Sequence, residues 1–379
     1  AEAAVVEEVC AVAPSAGALI AARVVQGVGG GVITPLTLAL ILPYYPPERR
    51  GTAIGLWSAA QSVATASGPS LGGMLVGVWD WRTVFFLHLP VGLAVLAGAW
   101  RIVPRGTREP ATSRLPDVAG LLLLVGAIGL PSLAIVQSDA WGAGSPGTIG
   151  ALVAGVVVAV LFVRRARTHA APIVDLTALR ARGTQRANLA MFLVGLVMFA
   201  LPLANILFLT DVWGYSVAAA GLAVTPGALA QVLTAPLAGR LAARTGHRAL
   251  ALCGVALLAL ATSYLAVAAG GRQAYLAVMF PAVVLSGVAV AVLITSLSGA
   301  AVAEIPPARL ATGTALSVTS RAVGAVIGVS ALVLVLSGDR LGAVGAYQGV
   351  WATMVGLCVL VAAAAATLRT RRAEAAHRG

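Results

Sequence analysis

The feature that most constrains the fold of this chain is a series of about eleven apolar runs of the length that crosses a lipid bilayer. Backbone groups inside a bilayer must satisfy their own hydrogen bonds, so such runs form helices. Hydrophobic residues make up 59% of the chain, charged residues make up 10%, and the mean hydropathy is +0.96, outside the balance of a soluble domain. The sequence therefore predicts an all-α polytopic membrane protein with spans near residues 17–42, 52–77, 83–100, 117–138, 148–163, 187–209, 217–238, 249–269, 274–298, 313–337 and 347–368.

The basic residues indicate how the chain is oriented. All 25 are arginines, and assigning the loops alternately to the two sides places 20 on one side, three on the other, and Arg23 and Arg321 within spans. The positive-inside rule makes the richer side cytoplasmic, so the C-terminus is expected inside. The sequence pI is near 11.0, but the arginines are spread over many loops, so no nucleic-acid partner is expected. The absence of lysine excludes a Walker A site and a Schiff-base lysine, and no enzyme activity is expected.

Two motifs lie inside apolar runs. Residues 67–73 read Ser-Gly-Pro-Ser-Leu-Gly-Gly, a segment that needs close neighbouring helices because proline removes a backbone donor and the glycines lack side chains. Arg23 begins the sequence Arg-Val-Val-Gln-Gly, and a guanidinium at this depth is costly unless it faces a partner or water. Together the motifs resemble those of the major facilitator superfamily. More narrowly, they are similar to its fourteen-helix drug and proton antiporter branch, which carries Arg-x-x-Gln-Gly on its fourth helix and Gly-Pro-x-x-Gly-Gly on its fifth.

Further segments carry the resemblance along the chain. Residues 79–90 are similar to the Trp-Arg-x-x-Phe-x-x-Asn-x-Pro entry into the family's sixth helix, with His88 in place of asparagine. Residues 239–248 resemble its second-half loop motif, with Ala243 where an aspartate is common. Residues 46–53 and 306–315 form a weak internal repeat, which is typical of transporter halves related by an axis along the membrane normal.

The resemblance implies a major facilitator fold, with two pseudo-symmetric helical bundles and two extra central helices. It also implies that about three N-terminal helices of the family pattern are missing from this chain. We therefore expect a remnant of the third helix at 1–16, the rest of the N-terminal bundle at 17–114, two extra central transmembrane helices at 115–165, a cytoplasmic linker at 166–186, a C-terminal six-helix bundle at 187–368 and a cytoplasmic tail at 369–379.

The function implied by the resemblance is secondary active transport, in which inward proton movement drives the efflux of drugs or other amphiphilic molecules by alternating access. Two other interpretations stay open: a facilitator that imports a metabolite, and a transport-inactive fragment or membrane interaction protein. The expected partners are a small-molecule substrate, protons and the lipid bilayer, and a monomer is expected. No cofactor or metal site is predicted. The expected location is the bacterial inner (plasma) membrane.

Candidate site residues fall into three groups. Arg23 has a coupling role by resemblance, or reaches the outer interface; Arg321 matches an arginine common in this helix of the family, or reaches the cytoplasmic interface. The coupling or gating group is Arg23, Gln26, Gly27, Gly68, Pro69, Gly72, Gly73 and Arg321. The possible substrate-cavity group is Thr34, Trp57, Gln61, Gln137, Asn188, Phe199, Asn205 and Gln231. Asp211 and Asp139, near outer helix ends, are proton-linked candidates or ordinary interfacial carboxylates.

Overall fold

The computed structural model describes residues 12–15, 17–23, 25–27, 60, 64, 68, 71–102, 117–142, 144–169, 182–302, 310–337 and 342–368. The chain divides into two compact units. Unit 1 comprises Ala1–Thr112 and Tyr215–Ala228, and unit 2 comprises Ser113–Gly214 and Leu229–Gly379. The described residues are helical apart from short turns and caps.

The helices follow the apolar runs. They are α1 (Gly17–Gly27), α2 (71–78), α3 (Thr83–Ile102), α4 (Val118–Val136), α5 (Ser138–Trp141), α6 (Pro146–Thr168), α7 (Arg182–Met198), α8 (Ala200–Asp211), α9 (Val217–Thr245), α10 (His247–Ala268), α11 (Phe280–Val302), α12 (Leu310–Ser337) and α13 (Gly342–Ala366). In the described part of the chain, eight stretches are long and apolar enough to cross a membrane, with α7 and α8 counted as one. They confirm the eight predicted spans from 117–138 onward, and most bounds differ by a few residues.

In unit 2, contacts between residues at known positions show the directions of several helices. Helices α4 and α6 are antiparallel: a Cβ at Gly155 would lie 2.6 Å from the ring of Pro131. Helix α13 runs antiparallel to α7 and α8, since Arg186 Nη1 donates to the Thr367 carbonyl at 2.8 Å at one end and Tyr347 Oη donates to Asp211 Oδ2 at 2.5 Å at the other. Helices α7 and α12 are parallel, since Ser317 contacts Asn188 and Gly328, further along α12, faces Leu196, further along α7.

Glycines bring α7 and α12 into backbone contact. A Cβ at Gly324 would lie 2.1 Å from the Phe192 carbonyl oxygen, and one at Gly328 would lie 2.0 Å from that of Leu196. From the opposite helix, a Cβ at Gly195 would lie 2.2 Å from the Arg321 carbonyl oxygen. Such close approach is typical of helix packing in membranes. Small residues let the backbones come together there, and van der Waals packing rather than the hydrophobic effect drives association. These three glycines form what we call the α7–α12 seam.

Two spans are interrupted in ways that the apolar runs do not reveal. At Phe199 the span 187–209 breaks into α7 and α8, whereas the span 274–298 opens with a π-helical turn over Tyr275–Met279. Pro281 explains the second case, because it has no N–H to donate to the carbonyl of Ala277. Tyr264 Oη from α10 donates to this carbonyl at 2.6 Å and so replaces the missing bond.

Unit 1 is described in part. The predicted span 83–100 corresponds to α3, which contains Pro90, whereas most of the predicted spans 17–42 and 52–77 lies outside the described residues. Helix α2 packs against the first turns of α9, where a Cβ at Gly73 would lie 2.9 Å from the Val217 carbonyl oxygen and one at Gly77 would lie 2.9 Å from Ala218 Cβ.

Candidate coupling and substrate sites

The two polar residues of the Arg-x-x-Gln-Gly motif contact each other directly. A separation of three residues places them on one face of α1, and Arg23 Nη1 donates to Gln26 Oε1 at 2.8 Å. The Arg23 guanidinium also lies over Phe85 of α3, 4.5 Å from the ring centroid, and Trp81 meets the same ring edge-on at 5.9 Å. A cation–π contact at an exposed position contributes about 0.5–1 kcal/mol. The motif thus holds a charged group in a fixed direction.

The glycines of the two motifs differ in their surroundings. Within the described part of the chain, a Cβ at Gly27, Gly68 or Gly72 would meet nothing within 4 Å, whereas Gly73 approaches the α9 backbone closely. Pro69 lies outside the described residues, as do Thr34, Trp57 and Gln61 of the predicted cavity group. Of the three heptapeptide glycines, all of which the structure describes, Gly73 is therefore the one that must stay small.

Two of the predicted cavity residues are buried in hydrogen bonds between helices. Asn188 is 4% exposed; its Oδ1 accepts from Ser317 at 3.2 Å and Ser320 at 3.4 Å on α12, and its Nδ2 donates to the Thr184 carbonyl at 2.8 Å. Asn205 is 2% exposed, and its Oδ1 accepts from Trp351 Nε1 at 3.1 Å. Both amides join helices of unit 2.

The other three described members of that group have different surroundings. Gln137 caps the C-terminal end of α4 and is half-buried. Phe199 is 44% exposed at the break between α7 and α8, and Gln231 is half-buried on α9. The described aromatic residue of this group, Phe199, is therefore exposed at a helix break.

Arg321 lies in the interior of a span and is half-buried. Its backbone sits at the level of Gly195 in the α7–α12 seam, and its Nη1 donates to Met198 Sδ at 3.5 Å. Because the two helices are parallel, the side chain extends away from the start of α12 rather than back toward it. The position is consistent with a role inside the membrane and does not match a side chain that reaches the nearer interface.

Asp211 is exposed and paired at the far end of α8. Its Oδ2 accepts from Tyr347 at 2.5 Å, and its Oδ1 accepts from Thr210 at 3.0 Å. Tyr347 is buried against Phe208, whose ring also meets Trp213 and Trp351 edge-on at 5.2 and 5.1 Å. The carboxylate therefore ties α8 to α13 through a buried aromatic cluster. Asp139 lies in the short helix α5.

Sequence reasoning missed an ion pair between α4 and α6, in which the carboxylate is buried and the arginine is partly exposed. Asp117 caps α4 by accepting from the Gly120 amide at 2.9 Å, and it accepts from Arg165 Nε at 2.6 Å. Burial alone would raise the pKa of the Asp117 carboxyl, but the bonds from Arg165 and Gly120 and the charges of Arg165 and His169 together hold it below its ordinary value of 3.8. The signal in the sequence was an aspartate placed directly before an apolar run, which is a helix N-cap pattern.

No group of three or more His, Cys, Asp or Glu side chains that could hold a metal ion occurs among the described residues. Among the described residues, the arginine–carboxylate pairs lie at a turn and at helix ends, Asp211 pairs with Tyr347, and Arg23 and Arg321 lie within helices.

Comparison with known proteins decides the family. The family model described as the Major Facilitator Superfamily matches residues 3–163 and 187–379. The chain belongs to this superfamily. It is an integral membrane protein with the polytopic all-α fold of that family, and the family is one of transporters rather than enzymes.

Relatives and solved structures agree with this assignment. The chain is 32% identical over 329 residues to "Multidrug resistance protein Stp" of Mycobacterium tuberculosis, covering 86% of this chain and 60% of that protein. It is 32% identical over 325 residues to "Multidrug export protein EmrB" of Escherichia coli K12, covering 85% and 62%. The chain thus spans about three fifths of the length of these relatives.

Two solved structures show the same fold at low identity. A bacterial homologue of the human lysosomal transporter Spinster, in an inward-facing and occupied conformation, aligns with a TM-score of 0.58 at 18% identity over 96% of this chain and 79% of that one. A POT family transporter in complex with a thioalcohol-conjugated peptide aligns with a TM-score of 0.61 at 15% identity over 95% and 79%.

Proposed function

We propose that the protein is a secondary active transporter that exports amphiphilic small molecules, drugs among them, in exchange for protons. Membership of the superfamily and the export and resistance names of relatives at 32% identity support this proposal. The observation that carries it is the contact between Arg23 and Gln26, because a guanidinium oriented within an apolar helix can respond to a titrating group or a charged solute.

The proposed mechanism is alternating access, in which two helical bundles rock about a central site. We propose that these bundles follow the division predicted from the sequence, with residues 17–114 in the first and 187–368 in the second, and that 115–165 supplies two extra helices. Rigid interfaces such as the α7–α12 seam would let a bundle move as one body. Gly73 and the α9 backbone form a second close interface, inside unit 1.

We further propose that the protein lies in the bacterial inner membrane with its C-terminus in the cytoplasm and acts as a monomer. Within unit 2, the helix directions place Arg186 of α7 beside the end of α13, the end that the arginine-rich tail follows. The positive-inside rule then makes this end cytoplasmic. Asp211 and the aromatic cluster would face the external side.

The test is uptake of a lipophilic fluorescent dye into everted membrane vesicles, the direction that corresponds to export from the cell, under an imposed proton gradient with an acidic lumen, using the protein expressed from its full open reading frame. Arg23→Ala and Gln26→Ala are expected to lower gradient-driven transport about tenfold or more, since each removes one side of the 2.8 Å hydrogen bond. Arg82→Ala is the matched control, because Arg82 also lies over an aromatic ring, at 4.4 Å from Trp81, but at an exposed turn.

Transport by wild type and Arg82→Ala, with loss in the other two variants, supports the proposal. Release of preloaded dye from the lumen, driven by the same gradient, would indicate an importer. Wild-type transport that Arg23→Ala leaves unchanged would remove the proposed coupling role of this arginine.

A further inference from the structure

Arg321 carries an unusual charge for its depth in the helix bundle. Helices α7 and α8 form one span of 30 residues, and Met198 is the last of the 17 residues of α7, so it lies within one turn of the midpoint of that span. The guanidinium of Arg321 reaches this level, since Nη1 contacts Met198 Sδ at 3.5 Å. A full positive charge therefore stands near the middle of a membrane-spanning segment.

The described surroundings do little to balance this charge. Thioether sulfur is a weak acceptor, whereas a guanidinium offers five donors. Among the described residues, no aspartate or glutamate oxygen lies within ion-pair distance of Arg321; the described carboxylates in ion pairs are Asp80 and Asp117. An uncompensated charge has a high energetic cost in a low-dielectric interior. A charged side chain at such a position is therefore expected to pair with a bound ligand.

The backbone that carries Arg321 is fixed by its neighbours. Its carbonyl oxygen packs against Gly195, at a distance that leaves no room for a side chain there, and the preceding turn of α12 is tied to Asn188 through Ser317 and Ser320. The Oδ1 and Nδ2 atoms of Asn188 are both hydrogen-bonded within the protein, so they do not compete for the same ligand. A rigid backbone that holds the Arg321 guanidinium in place for a ligand is a preorganised site.

A helix break with an exposed aromatic side chain lies beside this charge. The α7 helix ends at Met198, α8 starts at Ala200, and the side chain of Phe199 between them is 44% exposed. Interrupted helices near the midplane are where transporters place their substrates. Arg321, Met198 and Phe199 together offer a cation, a polarisable thioether and an aromatic ring.

We propose that Arg321 is the anion-binding group of the substrate site, and that the protein recognises amphiphiles that carry a carboxylate or a similar anionic group. The anion pairs with the Arg321 guanidinium, and the apolar part of the molecule lies toward Phe199. The proposal rests on the proposed transport function, which it refines by naming the substrate class. It assigns Arg321 to binding rather than to coupling.

A pair of probes that differ in charge alone tests the assignment. Pyrenebutyrate and neutral pyrenebutanol are titrated by fluorescence into the full-length protein in nanodiscs, with empty nanodiscs subtracted and no gradient applied. Charge-assisted hydrogen bonds are roughly twice as strong as neutral ones, so wild type is expected to bind the carboxylate about 10- to 100-fold more tightly than the alcohol. Arg321→Gln is expected to bring the ratio to about one and to keep the affinity for pyrenebutanol, which reports that the variant is folded.

Arg272→Gln is the matched control, because it removes one exposed arginine outside the spans and should leave the ratio unchanged. Equal affinities in wild type, or a carboxylate preference that survives in Arg321→Gln, would overturn the proposal. The first outcome would show that a carboxylate of the protein itself neutralises Arg321.

A second measurement needs no substitution at Arg321. Photolysis of wild type with 4-benzoylbenzoate should label the peptide that contains Met198, and the neutral 4-benzoylbenzamide should label it several-fold less, since the anion is held beside that residue. Equal labelling by the two probes would contradict the site. Binding is measured without transport, so loss of proton-driven dye efflux with intact anion binding would refute the proposed function alone.

Discussion

Replacing Gly328 by alanine tests the α7–α12 seam at its closest point. The new Cβ would lie 2.0 Å from the carbonyl oxygen of Leu196 and 2.6 Å from its carbonyl carbon, whereas ordinary contact begins at 3.4 Å. Both atoms belong to the backbone, so no change of rotamer relieves the clash and the helices must separate by about 1 Å or more. Overpacking of this kind costs about 1–3 kcal/mol. The higher helix propensity of alanine offsets about 0.5–1 kcal/mol of this cost. We therefore expect the unfolding free energy to fall by about 1–2 kcal/mol.

Gly356→Ala on α13 is the matched control, because a Cβ there would meet nothing within 4 Å. Its unfolding free energy should rise by about 0.5–1 kcal/mol from the higher helix propensity of alanine, with no loss of packing. The two variants are compared by equilibrium unfolding in mixed micelles with increasing fractions of sodium dodecyl sulfate. A difference of about 2 kcal/mol in unfolding free energy is expected. If Gly328→Ala is as stable as Gly356→Ala, the helices do not approach as closely as the structure indicates.

Two further predictions concern single contacts. Tyr264→Phe should destabilise the protein by about 1–3 kcal/mol, because it leaves the Ala277 carbonyl without its hydroxyl donor. This cost should be smaller in a Pro281→Ala background, because alanine at 281 restores a backbone N–H that can bond this carbonyl. An unchanged cost in this double-mutant cycle would contradict the explanation. The Asp117 carboxyl has a lowered pKa in the folded state, so its stabilising contribution is complete above its ordinary value of 3.8 and is lost as the pH falls through the lowered value. Acidification should therefore lower the thermal stability of wild type more than that of Asp117→Asn, and identical pH profiles would show that the pair with Arg165 contributes nothing.

The helices of this chain were predictable because length and hydropathy dominate in a bilayer. Spans such as 117–138 and 249–269 agree with Val118–Val136 and His247–Ala268 to within two residues. The break at Phe199 had a local signal in Pro202, which has no N–H to donate to the Met198 carbonyl, but the apolar run itself does not show it. The π-helical turn before Pro281 had a local signal in the proline, but its partner Tyr264 comes from another helix.

The roles of individual polar residues were less accessible from the sequence. Asn188 and Asn205 were assigned to a cavity by their polarity, and the structure places them in bonds to Ser317 and Trp351, partners more than a hundred residues away in sequence. The direction of Arg321 likewise depends on the register of α12 against α7, which Gly195 and its neighbours set through close contact. Arg23 and Gln26, by contrast, are three residues apart on α1, and their hydrogen bond of 2.8 Å follows from that helical spacing.

The most direct test of the central claim is substrate-dependent proton movement in proteoliposomes. The full-length protein is reconstituted with a pH-sensitive dye in the lumen, and an amphiphilic substrate is added on one side without any other driving force. Exchange of substrate for protons predicts a change of luminal pH that depends on substrate, is abolished by a protonophore and is reduced in Arg23→Ala but not in Arg82→Ala. Substrate flux with no accompanying pH change would contradict proton-coupled export.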